Sequence, residues 1–204
     1  MSYQHLDQVV AIHESSWSDY EISVKFGIEY LHLFYLNVIN SEYSFGYVYV
    51  SNGKVIAYAV GFYDYQAFNK STLRRIGHRI GIIALRRMLK GRIGLSDIMN
   101  LLTDDRKLRK AKYPKHHLGA LALSNEYKGT PYGGKAIKET IEGVLKEFRN
   151  KNYPGCWGLC DARNIPMRKY LLKLGFEEVN ITKYIGKSVI LFEKSFNHLK
   201  IIRE

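Results

Sequence analysis

The sequence predicts an α/β (α+β) fold, helices set against a mixed sheet, on three observations. Helical and two-residue apolar periodicities alternate along its 204 residues. An Asn52-Gly53 pair divides two runs rich in Tyr and Val, and a strand, helix, strand unit spans His117 to Cys160. With 46% hydrophobic and 25% charged residues, residues 1–204 are expected to form a single domain around a substantial core. No apolar run reaches the roughly 18 residues that span a bilayer, and the opening MSYQHLDQVV lacks the charged and apolar regions of a signal peptide. A cytoplasmic protein is expected.

The elements follow in order. Leu6, Val9, Val10 and His13 fall at helical spacing in His5 to Trp17, and Ser15 to Asp19 breaks the pattern. Glu21 to Asn40 reads as one longer helix, with Val24, Ile28, Leu31, Phe34, Tyr35 and Val38 at steps of three or four. Ser44 to Val50 and Val55 to Tyr63 are strands joined through Ser51-Asn52-Gly53, where Asn-Gly supplies the positive φ of a tight hairpin.

From Lys70 to Lys112 the pattern is helical again. Leu73, Ile76, Ile80, Ile83 and Leu89 form an apolar stripe between Arg74, Arg75, Arg79, Arg86 and Arg87, the Gly91 to Gly94 break interrupts it, and Asp97 to Leu108 can form a second short helix. The formal charge of +12 is concentrated here: Lys70 to Lys115 holds fourteen Lys or Arg against three acids, which is +11 and leaves +1 for the rest. Such a patch can attract CoA phosphates, a nucleotide-linked substrate, an anionic membrane surface or RNA, or it can be a solvated helical face.

Tyr113-Pro114 and Tyr153-Pro154 precede the apolar strands His117 to Leu123 and Cys156 to Cys160, since Pro keeps its predecessor extended. Between them, Ile137, Ile141, Val144, Leu145 and Phe148 make one stripe of a helix from Gly133 to Asn150. Cys156 and Cys160, roughly 13 Å apart along a strand, are too distant for a disulfide and read as reduced core or site-lining thiols. Ile165 to Leu174 is a helix ended by Gly175, and Glu177 to Ile185 and Ser188 to Phe196 are strands around a Gly186-Lys187 turn.

The Ser124 to Gly134 turn carries the chemistry. A helix start favours Asp or Glu, yet Thr130, Pro131, Tyr132, Gly133, Gly134 and Lys135 supply no acid and one base. The unpaired N–H groups and the positive helix end make this an anion site, or else the glycines merely make a tight turn. At the head of the preceding strand lie His116 and His117, which point to opposite faces. No third His, Cys or carboxylate falls at ligand spacing, so no metal is expected.

With NEYKGTPYGGKAI and DARNIPMRKYLLKLGFEEV in this order, the chain resembles the GCN5-related N-acetyltransferases (GNAT), most specifically over Leu118 to Val179. The resemblance implies a mixed, twisted, largely antiparallel sheet flanked by helices on both faces, with splayed central strands, and the basic segment at about 70–112 as an insertion. It implies acetyl-CoA as co-substrate and transfer of its acetyl group to a primary amine by direct attack in a ternary complex. Laid on the family's pyrophosphate loop, Lys128 takes an Arg place, Pro131 a Gly place and Gly133 the last Gly. Pro131 has no N–H to offer, while Gly129, Thr130, Tyr132, Gly133, Gly134 and Lys135 complete the loop. Leu121 and Leu123 are expected to pair through their backbones with the acetyl carbonyl and pantetheine, and Asn164 to join the cofactor site.

The resemblance also implies the chemistry. His117 stands where many members carry a basic Glu, and an imidazole of ordinary pKa near 6.5 suits that role. The family's phenol that protonates the departing thiolate falls at Leu171. Here the phenol is one residue earlier, at Tyr170, about 100° around the helix, with Tyr184 a second candidate. Trp17, Asp19 and Tyr20 mark the acceptor side. A small-molecule amine is the expected acceptor, with a nucleotide-linked amino sugar as the specific candidate; a degenerate domain binding RNA or anionic membrane, or a protein N-acetyltransferase, are the alternatives.

Overall fold

The computed structural model describes residues 1–17, 21–98, 113, 115–184 and 187–196. After a turn of 3-10 helix come α1 (Leu6–Ser16), α2 (Ile22–Phe26), α3 (Ile28–Asn40), β1 (Ser44–Ser51), β2 (Lys54–Phe62) and α4 (Tyr65–Leu89). They are followed by β3 (His117–Leu123), α5 (Pro131–Asn150), β4 (Gly155–Asp161), α6 (Ile165–Lys173), β5 (Glu177–Tyr184) and β6 (Lys187–Ser195). The six strands form one sheet in the order β1-β2-β3-β4-β6-β5, antiparallel at every pair except β3 with β4.

Alternation along the strands builds a core on each face. On one face Ala57, Ala59, Leu118, Cys156, Cys160 and Ile190 pack on Ile137, Ile141, Val144, Leu145 and Phe148 of α5 and on Leu171 of α6. On the other, Tyr58, Val60, Phe62 and Ala122 pack on Val9, Val10 and Ile12 of α1 and Leu31, Tyr35 and Val38 of α3. Both cysteines are buried, free thiols, and burial raises both pKa values, that of Cys160 to about 11.

The sequence expectations need correction at three places. The helix expected over 21–40 is two helices, because Gly27 has φ 84 and a Cβ there would collide with the Arg87 guanidinium. α4 starts five residues earlier than Lys70, where the Asp64 carboxylate accepts a hydrogen bond from the Ala67 N–H at 2.9 Å and caps it. Its stripe is also split: Ile76, Ile80 and Ile83 pack inward against Ile22, Phe26 and Leu33, whereas Leu73 and Leu89 are exposed. A helical turn occupies residues 95–98, and the rest of the helix expected over Asp97 to Leu108 lies outside the described residues.

Candidate active site

Pairing of β3 with β4 is confined to two rungs, His117 with Trp157 and Leu118 with Gly158. Beyond Leu118 the strands part. The β2 ladder shows an extra residue in β3: Gly61 opposes Leu118, whereas Ala59 opposes Leu121. This bulge re-aims the strand, bringing Leu118, Leu121 and Leu123 to the α5 face and Ala120 and Ala122 to the α1 face. Ser124 N–H donates to the Ile56 carbonyl at 2.9 Å. By alternation, the Leu121 and Leu123 backbone groups then turn away from β2, into the opening. There the Leu123 carbonyl accepts the Ser16 hydroxyl at 2.7 Å, tying the end of α1 to the cleft.

The end of β3 meets the start of α5, where a Cβ on Gly133 would touch the Leu123 side chain. Thr130 is the N-cap, its hydroxyl accepting from Gly133 N–H at 3.0 Å, and Pro131 occupies the first helical position. Proline fits there because that N–H has no intrahelical partner in any case. Gly129 turns the chain with φ 77, and a Cβ on Gly133 would collide with the Tyr127 carbonyl oxygen. The donor set is narrower than the sequence implies. Thr130 N–H donates to Tyr127 O at 3.2 Å, Gly134 N–H to Thr130 O at 3.0 Å, and Gly133 N–H is taken by the cap. Among the described residues the Gly129 and Tyr132 N–H groups have no protein acceptor. No acid stands in the first turn; Lys128 is exposed and reaches the Ser16 carbonyl at 3.4 Å, and Lys135 lies 3.8 Å from Glu139. Asn164 caps α6 by accepting from Met167 N–H at 3.2 Å.

His117 sits at the apex of the splay, on the face opposite α5. Its ring lies parallel to Trp157 at 3.9 Å and to Phe62 at 5.5 Å, with Tyr65 edge-on at 4.7 Å. Its Nδ1 is buried without a hydrogen-bond partner among the described residues, as is the Trp157 indole nitrogen. Burial among aromatics disfavours the charged imidazolium and pushes its pKa down to about 3. The expected basicity near 6.5 is therefore corrected: this imidazole is neutral throughout the physiological range. His116 faces the α5 side, stacked on Tyr153 at 3.9 Å with Nδ1 2.9 Å from the Tyr63 carbonyl oxygen.

The two candidate phenols fall on different faces. Tyr184 packs against Trp157. Tyr170 packs with the α5-face cluster, its hydroxyl buried without a partner among the described residues, and burial followed by nearby Glu142 pushes its pKa up to about 12. Leu171, at the family's phenol position, is a buried core residue. Trp17 ends α1 and stacks on His13 at 4.8 Å; Asp19 and Tyr20 lie outside the described residues. Glu21 and Lys187 join at 2.6 Å, fastening the segment before α2 to the start of β6.

A buried hub holds this side together and carries no motif in the sequence. His13 Nδ1 meets the hydroxyls of Tyr35 at 2.6 Å and Tyr58 at 2.9 Å, and Nε2 meets Ser23 Oγ at 2.9 Å. Desolvation lowers its pKa to about 4. Its only trace was one polar residue in the apolar stripe of α1. Among the described residues no three His, Cys, Asp or Glu side chains converge as a metal site.

No protein-family model and no curated protein matches the chain. Solved structures do. A Drosophila melanogaster polyamine N-acetyltransferase that forms N-acetylagmatine aligns at 15% identity over 96% of this chain and 97% of its own, with a TM-score of 0.55. The PaiA N-acetyltransferase of Thermoplasma acidophilum, in complex with coenzyme A, aligns at 14% identity over 96% of each chain, TM-score 0.54. The C-terminal condensation domain of Ebony, in complex with β-alanyl-dopamine, aligns at 11% identity over 96% of each chain, TM-score 0.59.

Proposed function

Because the chain has the fold of the GCN5-related N-acetyltransferases, we propose that it transfers the acetyl group of acetyl-CoA to the primary amine of a small molecule within a ternary complex. The observation that carries this reading is the two-rung pairing of β3 and β4, which opens a cleft from its apex at Leu118 to an anion-ready helix start. Five residues of strand, roughly 17 Å, separate the two ends, a length suited to an extended arm with phosphate at one end and a thioester at the other.

Each end has its residues. The Gly129 and Tyr132 N–H groups, the α5 dipole and Lys128 suit a pyrophosphate. Thr130 and Gly133 shape the loop so that the backbone can approach. The Leu121 and Leu123 backbones line the arm. At the apex His117 is neutral: with a pKa of about 3 and a buried Nδ1 it is too weak and too enclosed a base to strip an ammonium. It shapes the apex through its stack on Trp157, and the amine sheds its proton to solvent before attack. Tyr170, with Tyr184 as runner-up, hands its proton to the departing thiolate, and its phenol is restored by the second proton that the attacking nitrogen releases as it becomes the amide. The resemblance assigns Trp17, Asp19 and Tyr20 to the acceptor side, and to them we add the Glu21–Lys187 pair, which fastens the chain just after them to β6.

A nucleotide-linked amino sugar would need basic side chains at the acceptor pocket. The exposed arginines of α4 occupy the outer face of that helix, so they do not themselves support a phosphate-bearing acceptor over a small amine. Coupled thiol detection over a panel of polyamines, aralkylamines, amino sugars and their nucleotide conjugates tests the assignment. Thiol release with simple amines supports it, release with nucleotide conjugates alone restores the amino-sugar reading, and release with no amine despite acetyl-CoA binding removes it.

A further inference from the structure

α4 is apolar on two opposite faces. Its inner face packs Ile76, Ile80, Ile83 and Met88 against α2 and α3. On the outer face Ile82, Leu85 and Leu89 are 50, 59 and 81% exposed, and Leu95 just beyond is 68% exposed. Positions 82, 85 and 89 are three and four apart and form one stripe. Exposed Arg75, Arg79 and Arg86 border it on one side and Arg74 on the other. From Tyr65 to Leu89 there is no Asp or Glu at all. α5 shows the ordinary solvated pattern by contrast, with Lys135–Glu139 and Lys138–Glu142 pairs one turn apart at 3.8 Å.

Guanidinium groups without a carboxylate partner among the described residues, flanking a stripe of aliphatic side chains, are the make-up of a helix lying in a membrane interface, where the stripe enters the acyl boundary and the cations meet lipid phosphates. We propose that the outer face of α4 docks this protein on an anionic lipid surface. No described helix is long and apolar enough to cross a membrane, so the contact is peripheral. Charge decides against the other occupants. A second copy would set arginines against arginines. RNA would satisfy the arginines but bury nothing on Ile82, Leu85 and Leu89, and the stripe offers no aromatic platform for bases.

The test is flotation of the full chain with vesicles of phosphatidylcholine alone and with about 30% phosphatidylglycerol, at roughly 0.1 and 0.5 M salt. Binding is expected to the anionic vesicles only and to fall at high salt. The variant I82Q/L85Q/L89Q, all on solvent-exposed sites, and the variant R75E/R86E should each weaken it by about tenfold or more, with melting temperature and acetyl-CoA affinity unchanged. Equal partition onto neutral and anionic vesicles, or wild-type binding by the triple glutamine variant, overturns the proposal. So does a short RNA that binds the wild type and the triple variant with the same affinity, or a dimer that the triple variant abolishes.

Discussion

Lowering the pH from 7 to 5 should destabilise this protein by about 4 kcal/mol, through two histidines. His13 and His117 carry folded pKa values of about 4 and about 3 against 6.5 in the unfolded chain. Folding therefore favours the neutral ring: the contribution is complete above pH 6.5 and is lost as the pH falls toward the folded values. At pH 5 each unfolded imidazole is almost fully protonated and each folded one almost bare, which costs roughly 1.8 kcal/mol per residue relative to pH 7. His5 and His116, also held below their ordinary values, act with the same sign. Urea unfolding at pH 7, 6 and 5, followed by Trp fluorescence, measures the difference. His117→Gln should cut the pH 7-to-5 difference to about half. A wild-type difference under about 1 kcal/mol, or one that His117→Gln leaves intact, refutes the reasoning. The same burial predicts that the pH profile of kcat/KM owes no inflection near 6.5 to His117; an inflection there that His117→Gln removes would make this residue a titrating base after all.

Other perturbations separate the parts of the site. Gly133→Ala forces a Cβ into the Tyr127 carbonyl and should weaken acetyl-CoA binding by about tenfold or more, read by calorimetry; an unchanged Kd would mean that the loop geometry does not bind the phosphates. Tyr170→Phe should lower kcat by about tenfold while leaving acetyl-CoA affinity in place, and it should not cost stability, because the hydroxyl has no partner to lose; if Tyr184→Phe has that effect instead, the proton comes from the other face. Leu171→Ala should cost about 2 to 4 kcal/mol in urea unfolding as a cavity in the α5-face core. Lys187→Ala should raise the acceptor KM with little change in acetyl-CoA Kd, and at a part-exposed pair it should cost no more than about 1 kcal/mol; an equal effect on both ligands would place the Glu21–Lys187 pair away from the acceptor.

What the sequence showed plainly was local. The Asn52-Gly53 hairpin folds with φ of 50 and 74, and the five apolar residues read along α5 are all buried. Pattern reading failed where apolar spacing does not register what decides the outcome. Gly27 breaks a helix of unbroken apolar period by taking φ 84, a left-handed conformation open to glycine. The stripe of α4 was read as one face because periodicity counts apolar residues without saying which neighbour covers them. In the candidate site, Pro131 suits the helix as the first residue of α5, while it withholds from an anion one of the N–H groups that a helix start leaves unused. His117 was found by position alone. Phe62, Tyr65 and Trp157, which set its basicity, come from three separate elements, and nothing in the sequence announces that they converge.

The most direct measurement is calorimetric titration with acetyl-CoA followed by thiol release and mass detection of the acetylated product on an amine panel. Saturable binding of acetyl-CoA, with amine-dependent thiol release matched by acetylated amine, is the predicted result. No binding of acetyl-CoA, together with no amine-dependent release, would contradict the assignment of the β3–β4 cleft as an acetyl-transfer site.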